Sequence, residues 1–321
     1  MINHLHLLGG KGKIGESLYK SLIKCPIEDL NHIWIYCDGN IDSLKDNQIF
    51  LKSNYTKISF KNYASFSIER LNKENLISKG SKNIILNLRG INNKKDWLNN
   101  PMNSLEIQMK SCLNILNSDF NLYPNTKLIH FSSQLCDLIE SNLTLKEICE
   151  GEDSYRSFYM ISRLHQEALL RAYAYKNAIQ TKFIRLPAIY GFDDDINSPW
   201  IINSLIKEFV KNKSFNLRKP ECIVWLTHKK LLISFIKETI EKFLNNKLET
   251  NVSYLNCPML GFKIKDLSDL IAKSIMEENF QSSSISDRVI NKINIESQAN
   301  IQSNLKVLQS IILEIYKDAK N

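Results

Sequence analysis

No stretch of this 321-residue chain reaches the roughly 18–20 consecutive apolar residues that a membrane-crossing helix requires. Nor does the N-terminus run from a charged segment through an apolar stretch to a small-residue cleavage site, so no secretory signal is expected. CxxC pairs are absent. The seven cysteines, Cys25, Cys37, Cys112, Cys136, Cys149, Cys222 and Cys257, are scattered and odd in number. That pattern argues against a disulfide framework or a metal site and for reduced thiols in a cytoplasmic protein. Internal repeats and low-complexity segments are also missing. The net charge is +8, but lysine is spread along the chain without a dense basic block. Such a surface mildly favours anionic small ligands and gives no footprint for nucleic acid.

What is present is an ordinary globular composition, 43% hydrophobic and 24% charged, long enough for a large core and two lobes. Apolar, β-rich runs occur at His4–Leu8, His32–Cys37, Asn83–Leu88, Lys127–Phe131 and Lys182–Leu186. Helical patterns at 14–24, 101–117 and 157–176 alternate with them. This rhythm predicts an α/β fold, a Rossmann-type doubly wound parallel sheet with helices on both faces. Ligands of such folds bind beyond the carboxyl ends of the strands. The second half predicts longer helices at 199–212, 228–246, 264–277 and 301–317, with short strands near 222–226 and 252–256. Asp193–Asp195 and Glu277–Ser286 read as surface loops. The domain boundary is expected near Pro187. Residues 1–187 would form the dinucleotide-binding domain and 188–321 a smaller substrate-binding lobe, some of whose segments return to the first.

Four features fall at strand ends or on the expected helix. Gly9-Gly10-Lys11-Gly12-Lys13-Ile14-Gly15 follows the first strand and opens a helix. Glycines there permit a tight turn, and the helix N-terminus faces an anion, the arrangement that seats a dinucleotide pyrophosphate. Asp38, 23 residues after Gly15, ends the second strand, where a carboxylate can accept from an adenosine ribose. Ser132 and Ser133 follow the run Lys127–Phe131, placing hydroxyls at the end of that strand. Tyr159 and Arg163 lie four apart and share a helix face. A fixed cation beside a phenol favours the phenolate, which suits it to general acid–base work.

On these residues the chain resembles the extended short-chain dehydrogenase/reductases of the NAD-dependent epimerase/dehydratase kind. Gly9, Gly12 and Gly15 match its GxxGxxG form, and Lys127 to Gln134 matches the strand ending in the catalytic Ser or Thr, here Ser133. Tyr159 to Glu167 matches YxxSKLxxE with Arg163 in place of the lysine. Asn100-Pro101 and the helix to Ile115 match the family's fourth helix, and Phe183 to Gly191 matches the entry into the substrate lobe. Tyr254 to Asn256, with the helix from Ile264, resembles a late strand–helix unit. The resemblance spans residues 3–276 and is dense up to Gly191.

It implies an enzyme that transfers hydride on a nucleotide-activated sugar, in the manner of epimerases, dehydratases or reductases of polysaccharide synthesis. Tyr159 is implied as acid/base, Ser133 as the donor to the reacting oxygen, and Arg163 as the partner of the nicotinamide ribose. Asn87, Leu88, Arg89 and Gly90 are implied to lie along the cofactor, with Pro187 beside it. Relatives of this build often pair through the fourth helix and the tyrosine helix, so the resemblance also implies a homodimer.

Departures are concentrated at the chemistry. Arginine at 163 keeps the charge but cannot release a proton, so a lysine relay is lost. Gln108 replaces a family asparagine, Ala188 replaces another, and no arginine occurs in Glu221–Thr227 to grip a substrate diphosphate, with Arg218 or Lys219 as the nearest substitutes. A dinucleotide-binding regulatory or catalytically impaired protein is therefore the alternative. Cofactor choice is divided too. Asp38 favours NAD by repelling a 2′-phosphate, and Lys11 offers that phosphate, and hence NADP, a partner.

Overall fold

The apolar runs that open the chain pair in parallel in the computed structural model. It describes residues 2–37, 57–62, 80–90, 94–118, 125–137, 154–191, 201–217, 219–247, 251–276, 290–291 and 298–320. Asp38, Cys149, Asp193–Asp195, Arg218 and Glu277–Ser286 lie outside these residues. Strands β1 (Asn3–Leu8), β2 (His32–Cys37), β3 (Lys57–Asn62), β4 (Lys82–Asn87), β5 (Thr126–Ser133), β6 (Gln180–Leu186) and β9 (Val252–Leu255) form one sheet. Its order is β3-β2-β1-β4-β5-β6-β9 and every pairing is parallel. Leu5 sits opposite Ile33 on one side and Ile84 on the other, so β1 is central and fully buried. The order reverses at β1, which makes the carboxyl ends of β1 and β4 the switch point where ligands of such sheets bind.

Helices α1 (Lys13–Lys24), α2 (Lys94–Asn99), α3 (Pro101–Leu116) and α4 (Ser154–Lys176) supply the crossovers. Asn100 caps α3 by accepting from the Asn103 N–H at 3.1 Å, and Pro101 fills the first helical position, where its missing donor costs nothing. One core joins Leu8, Ile85, Leu128 and Phe183 of the sheet to Cys112 and Ile115 of α3 and Leu170 and Ala174 of α4. Each such aliphatic side chain contributes about 1.5–3 kcal/mol through burial. That packing fixes α3 and α4 beside each other over the strand ends.

The chain divides into two units: residues 1–186 with 236–255, and 187–235 with 256–321. The second unit carries β7 (Ala188–Tyr190), α5 (Ile201–Asn212), β8 (Ile223–His228), β10 (Leu260–Lys263), α7 (Ile264–Met276), β11 (Ile290–Asn291) and α8 (Gln298–Lys320). Helix α6 (Lys229–Leu244) begins in this unit and ends in the first. Its four-stranded sheet runs β11-β10-β8-β7, with β7 and β8 parallel and β10 antiparallel to β8. Tyr190, Ile206, Phe262, Ile271, Leu308 and Ile312 are among its buried core. Strands β3, β7, β10 and β11 and helix α2 were not expected from the sequence. Among the described residues no helix is long and apolar enough to cross a membrane, and no group of three His, Cys, Asp or Glu residues could hold a metal.

Candidate functional site

The glycine turn is held by backbone bonds at both ends. Gly9 and Gly10 donate their N–H groups to the Tyr36 carbonyl at 3.2 and 3.1 Å, and Gly12 donates to Gly9 O at 3.1 Å. Gly9 has φ +91°, the left-handed region that a side chain rarely adopts. A Cβ on Gly15 would stand 2.5 Å from Gly9 O, and one on Gly9 would meet Arg89 N at 3.0 Å. The turn therefore packs directly on Leu88–Arg89 at the end of β4. Among the described residues no side chain caps α1, whose N-cap is Gly12, and a helix N-terminus of this kind can receive an anion. Lys11 and Lys13 are exposed beside it, and Ile14 is half-buried.

The strand-end segment leads from the turn to the tyrosine helix. A Cβ on Gly90 would clash with the Arg163 guanidinium, so Gly90 and Arg163 are in contact. Arg163 is buried. Its Nη1 donates to Gln166 Oε1 at 3.2 Å, Phe131 O at 3.3 Å and Arg89 O at 3.5 Å. Its guanidinium carbon lies 5.3 Å from the centre of the Tyr159 ring. Tyr159 is also buried, with the Trp97 ring of α2 edge-on at 6.3 Å. Gly9, Leu88, Arg89, Gly90, Arg163 and Tyr159 thus form one continuous chain of contacts. Ser133 ends β5 two residues beyond Phe131, and its Oγ accepts from the Leu135 N–H at 3.3 Å. Next to it, Gln134 is buried, and its amide nitrogen has no hydrogen-bond partner among the described residues. Pro187 directly follows β6, is buried, and opens the second unit.

The arrangement has two polar features that suit a bound dinucleotide. The uncapped α1 N-terminus and the glycine cradle suit a pyrophosphate, and the buried Arg163 Nε has no acceptor among the described residues. A buried donor without a partner costs about 1–3 kcal/mol.

Several contacts escaped sequence reasoning. Gln108 and Gln166 are fully buried and bonded to each other across α3 and α4. Arg185 of β6 binds Glu167, the last residue of the tyrosine motif, and Asp137, just beyond Ser133. His6 and His32 stack with Trp34 on one sheet face, and His4 beside them accepts from Trp34 Nε1 at 3.2 Å. Burial lowers these histidines to about 4, 3 and 3, and His130 to about 3. The spacing of His4 and His6, two apart on a strand, was the available signal for the stack. For Gln166 there was none. Burial also lifts the Cys112 and Cys257 thiols to about 12, marking them as packing groups.

A parallel sheet with a glycine turn after its first strand defines a Rossmann-type nucleotide-binding fold. The family model of the NAD dependent epimerase/dehydratase family matches residues 6–230, and the chain belongs to that family. No curated protein matches the sequence. Solved structures share the fold at low identity. The UDP-N-acetylglucosamine 4-epimerase of Methanobrevibacter ruminantium M1, in complex with UDP-N-acetylmuramic acid, is 15% identical with a TM-score of 0.60, covering 97% of this chain and 99% of that one. The UDP-glucuronic acid 4-epimerase of Bacillus cereus, with UDP-glucuronic acid and NAD, is 15% identical at 0.57 over 98% and 100%. The Bordetella bronchiseptica enzyme WbmF with NADH is 12% identical at 0.56 over 98% and 95%.

Proposed function

We propose that the chain is an NAD-dependent enzyme that transfers hydride on a nucleotide-activated sugar, as an epimerase, dehydratase or reductase. The observation that carries this is the unbroken series of contacts from the glycine turn through Leu88–Gly90 to Arg163 and Tyr159. Gly9, Gly10, Lys11, Gly12, Lys13, Ile14 and Gly15 would hold the pyrophosphate, and Asp38 the adenosine ribose. Leu88, Arg89 and Gly90 would line the middle of the cofactor. Arg163 would meet the nicotinamide ribose, with Pro187 beside the ring. When bound, NAD supplies the hydride acceptor. Tyr159 exchanges a proton with the substrate oxygen through its phenolic hydroxyl, and Ser133 donates a hydrogen bond to that oxygen. Metal is not part of the proposed chemistry.

Incubation with NAD or NADP and a panel of nucleotide sugars tests this. An isomer, a keto-sugar or a change in nicotinamide absorbance is expected, and it should vanish in Tyr159→Phe. Bound dinucleotide without turnover on any sugar favours the second reading, a dinucleotide-binding regulatory or catalytically impaired protein. The observation favouring that one is Arg163, whose buried guanidinium is already engaged by protein carbonyls. A preference for NADP over NAD would shift the weight from Asp38 to Lys11.

We also infer a homodimer. On α4, Phe158, Ile161 and Tyr175 are exposed on one face, and α3 exposes Met102 and Leu113. Apolar side chains at helical spacing on two neighbouring helices fit a second copy of the same surface.

A further inference from the structure

The exchange of lysine for arginine at 163 has a built surrounding. Gln166 stands three residues further along α4 and is fully buried. Its Oε1 accepts from two donors, Arg163 Nη1 at 3.2 Å and Gln108 Nε2 at 2.6 Å. Its Nε2 faces two acceptors, Gln108 O at 2.5 Å and Ser111 Oγ at 3.1 Å. Donors on one side and acceptors on the other leave the amide a single orientation. Ser111 is itself fixed, donating to Gln108 O at 3.0 Å. Oε1 must therefore face the guanidinium.

The guanidinium is gripped from three elements: Gln166 on α4, Phe131 O at the end of β5, and Arg89 O after β4. A planar fork on a long stem can reach such spread acceptors while keeping another nitrogen against Gly90. An ammonium is a shorter point donor and cannot fill both places. Burying two side-chain amides unpaired would be costly, and here each bond supports the next.

We propose that Gln166, oriented by Gln108 and Ser111, is a positioning residue that fixes the Arg163 guanidinium at the ends of β4 and β5. Arginine at 163 is then a coupled replacement, and restoring lysine alone is a loss. This role rests on the dinucleotide seat proposed above, of which residue 163 is a part.

The test is a double-mutant cycle on full-length protein: parent, Arg163→Lys, Gln166→Met and the pair together. Binding of NAD and NADH is measured by calorimetry, bound NADH by its emission spectrum, and each unliganded protein by thermal unfolding. Gln166→Met keeps length and volume but removes both hydrogen-bonding ends. We expect each single variant to weaken binding about tenfold and the pair to lose no more than about tenfold in all. Bound NADH should emit closer to the free dinucleotide in all three. A merely structural Gln166 would lower the unfolding temperature but leave affinity and emission of the folded protein unchanged. Binding by Gln166→Met within about twofold of the parent, or single losses that multiply to about a hundredfold, overturns the positioning role. Should Gln166→Met not fold, Arg163→Lys decides: affinity equal to or above the parent refutes the coupling. A parent that binds neither NAD nor NADP overturns the seat itself, and the positioning role with it.

Discussion

Arg185 grips Glu167 through both carboxylate oxygens, Nη2 to Oε2 at 2.6 Å and Nε to Oε1 at 3.0 Å. Both side chains are buried. Tyr254 of β9 donates to the same Oε2 at 2.7 Å, and Arg185 Nη1 reaches Asp137 at 2.7 Å. Burial and the bond to Glu167 hold the Tyr254 phenol above its ordinary range, so it stays a donor. The cluster ties α4, β6 and β9 to the turn beyond Ser133. Arg185→Met should destabilise the protein by about 3–5 kcal/mol, because the Glu167 charge is left buried without a cation, keeping only the Tyr254 bond. Glu167→Gln should cost less, since Arg185 keeps Asp137. Urea unfolding of both variants ranks them, and the reverse order contradicts this account.

Gly15→Ala should empty the dinucleotide seat without unfolding the sheet. Its new methyl would meet Gly9 O at 2.5 Å and Gly10 Cα at 2.9 Å, forcing the turn away from α1. Affinity for NAD should drop at least about tenfold. Unchanged affinity in a titration would show that the phosphates are held elsewhere.

Acid should weaken the fold well before its carboxylates titrate. His4, His6, His32 and His130 stay neutral in the folded chain down to about 4, 3, 3 and 3, whereas unfolded histidine protonates near 6.5. Their contribution is fully present above about pH 6.5 and is lost as the pH falls, because only the unfolded chain takes up the protons. At pH 5 the loss should be about 1–2 kcal/mol per ring. Urea midpoints that stay flat from pH 7 to pH 5 would contradict it.

A charge on the exposed stripe of α4 should separate the proposed pair of subunits. Ile161 is 38% exposed and Phe158 48%. Ile161→Glu with Phe158→Glu should give a folded monomer whose unfolding temperature no longer depends on protein concentration. Sedimentation of parent and variant at the same mass would remove the interface from these helices.

Much of the fold was legible because it rests on apolar runs. The strand β2 coincides with its expected range, and β1, β4, β5 and β6 differ only at their ends. Strand β3 was missed because Lys57, Ser59 and Lys61 alternate with only Ile58 and Phe60, which suits a sheet edge but gives a faint signal. Helix α2 is six residues stopped by Pro101, too short for a period to show. The Tyr159/Arg163 face followed from helical spacing alone. The amide pair beneath it did not, because Gln108 and Gln166 are 58 residues apart and polar helix positions usually face water.

The last strand of the main sheet has a consequence for how the protein is made. Strand β9 pairs with β6, Thr181 opposite Val252 and Ile184 opposite Leu255, although the chain visits the second unit between them. A nascent chain that has emerged only to residue 190 presents β6 as a bare rim. At ribosomal speeds of about 5–20 residues per second, about 3–13 seconds pass before its partner arrives. During that interval the growing polypeptide is a natural client for a chaperone that shields sticky sheet margins.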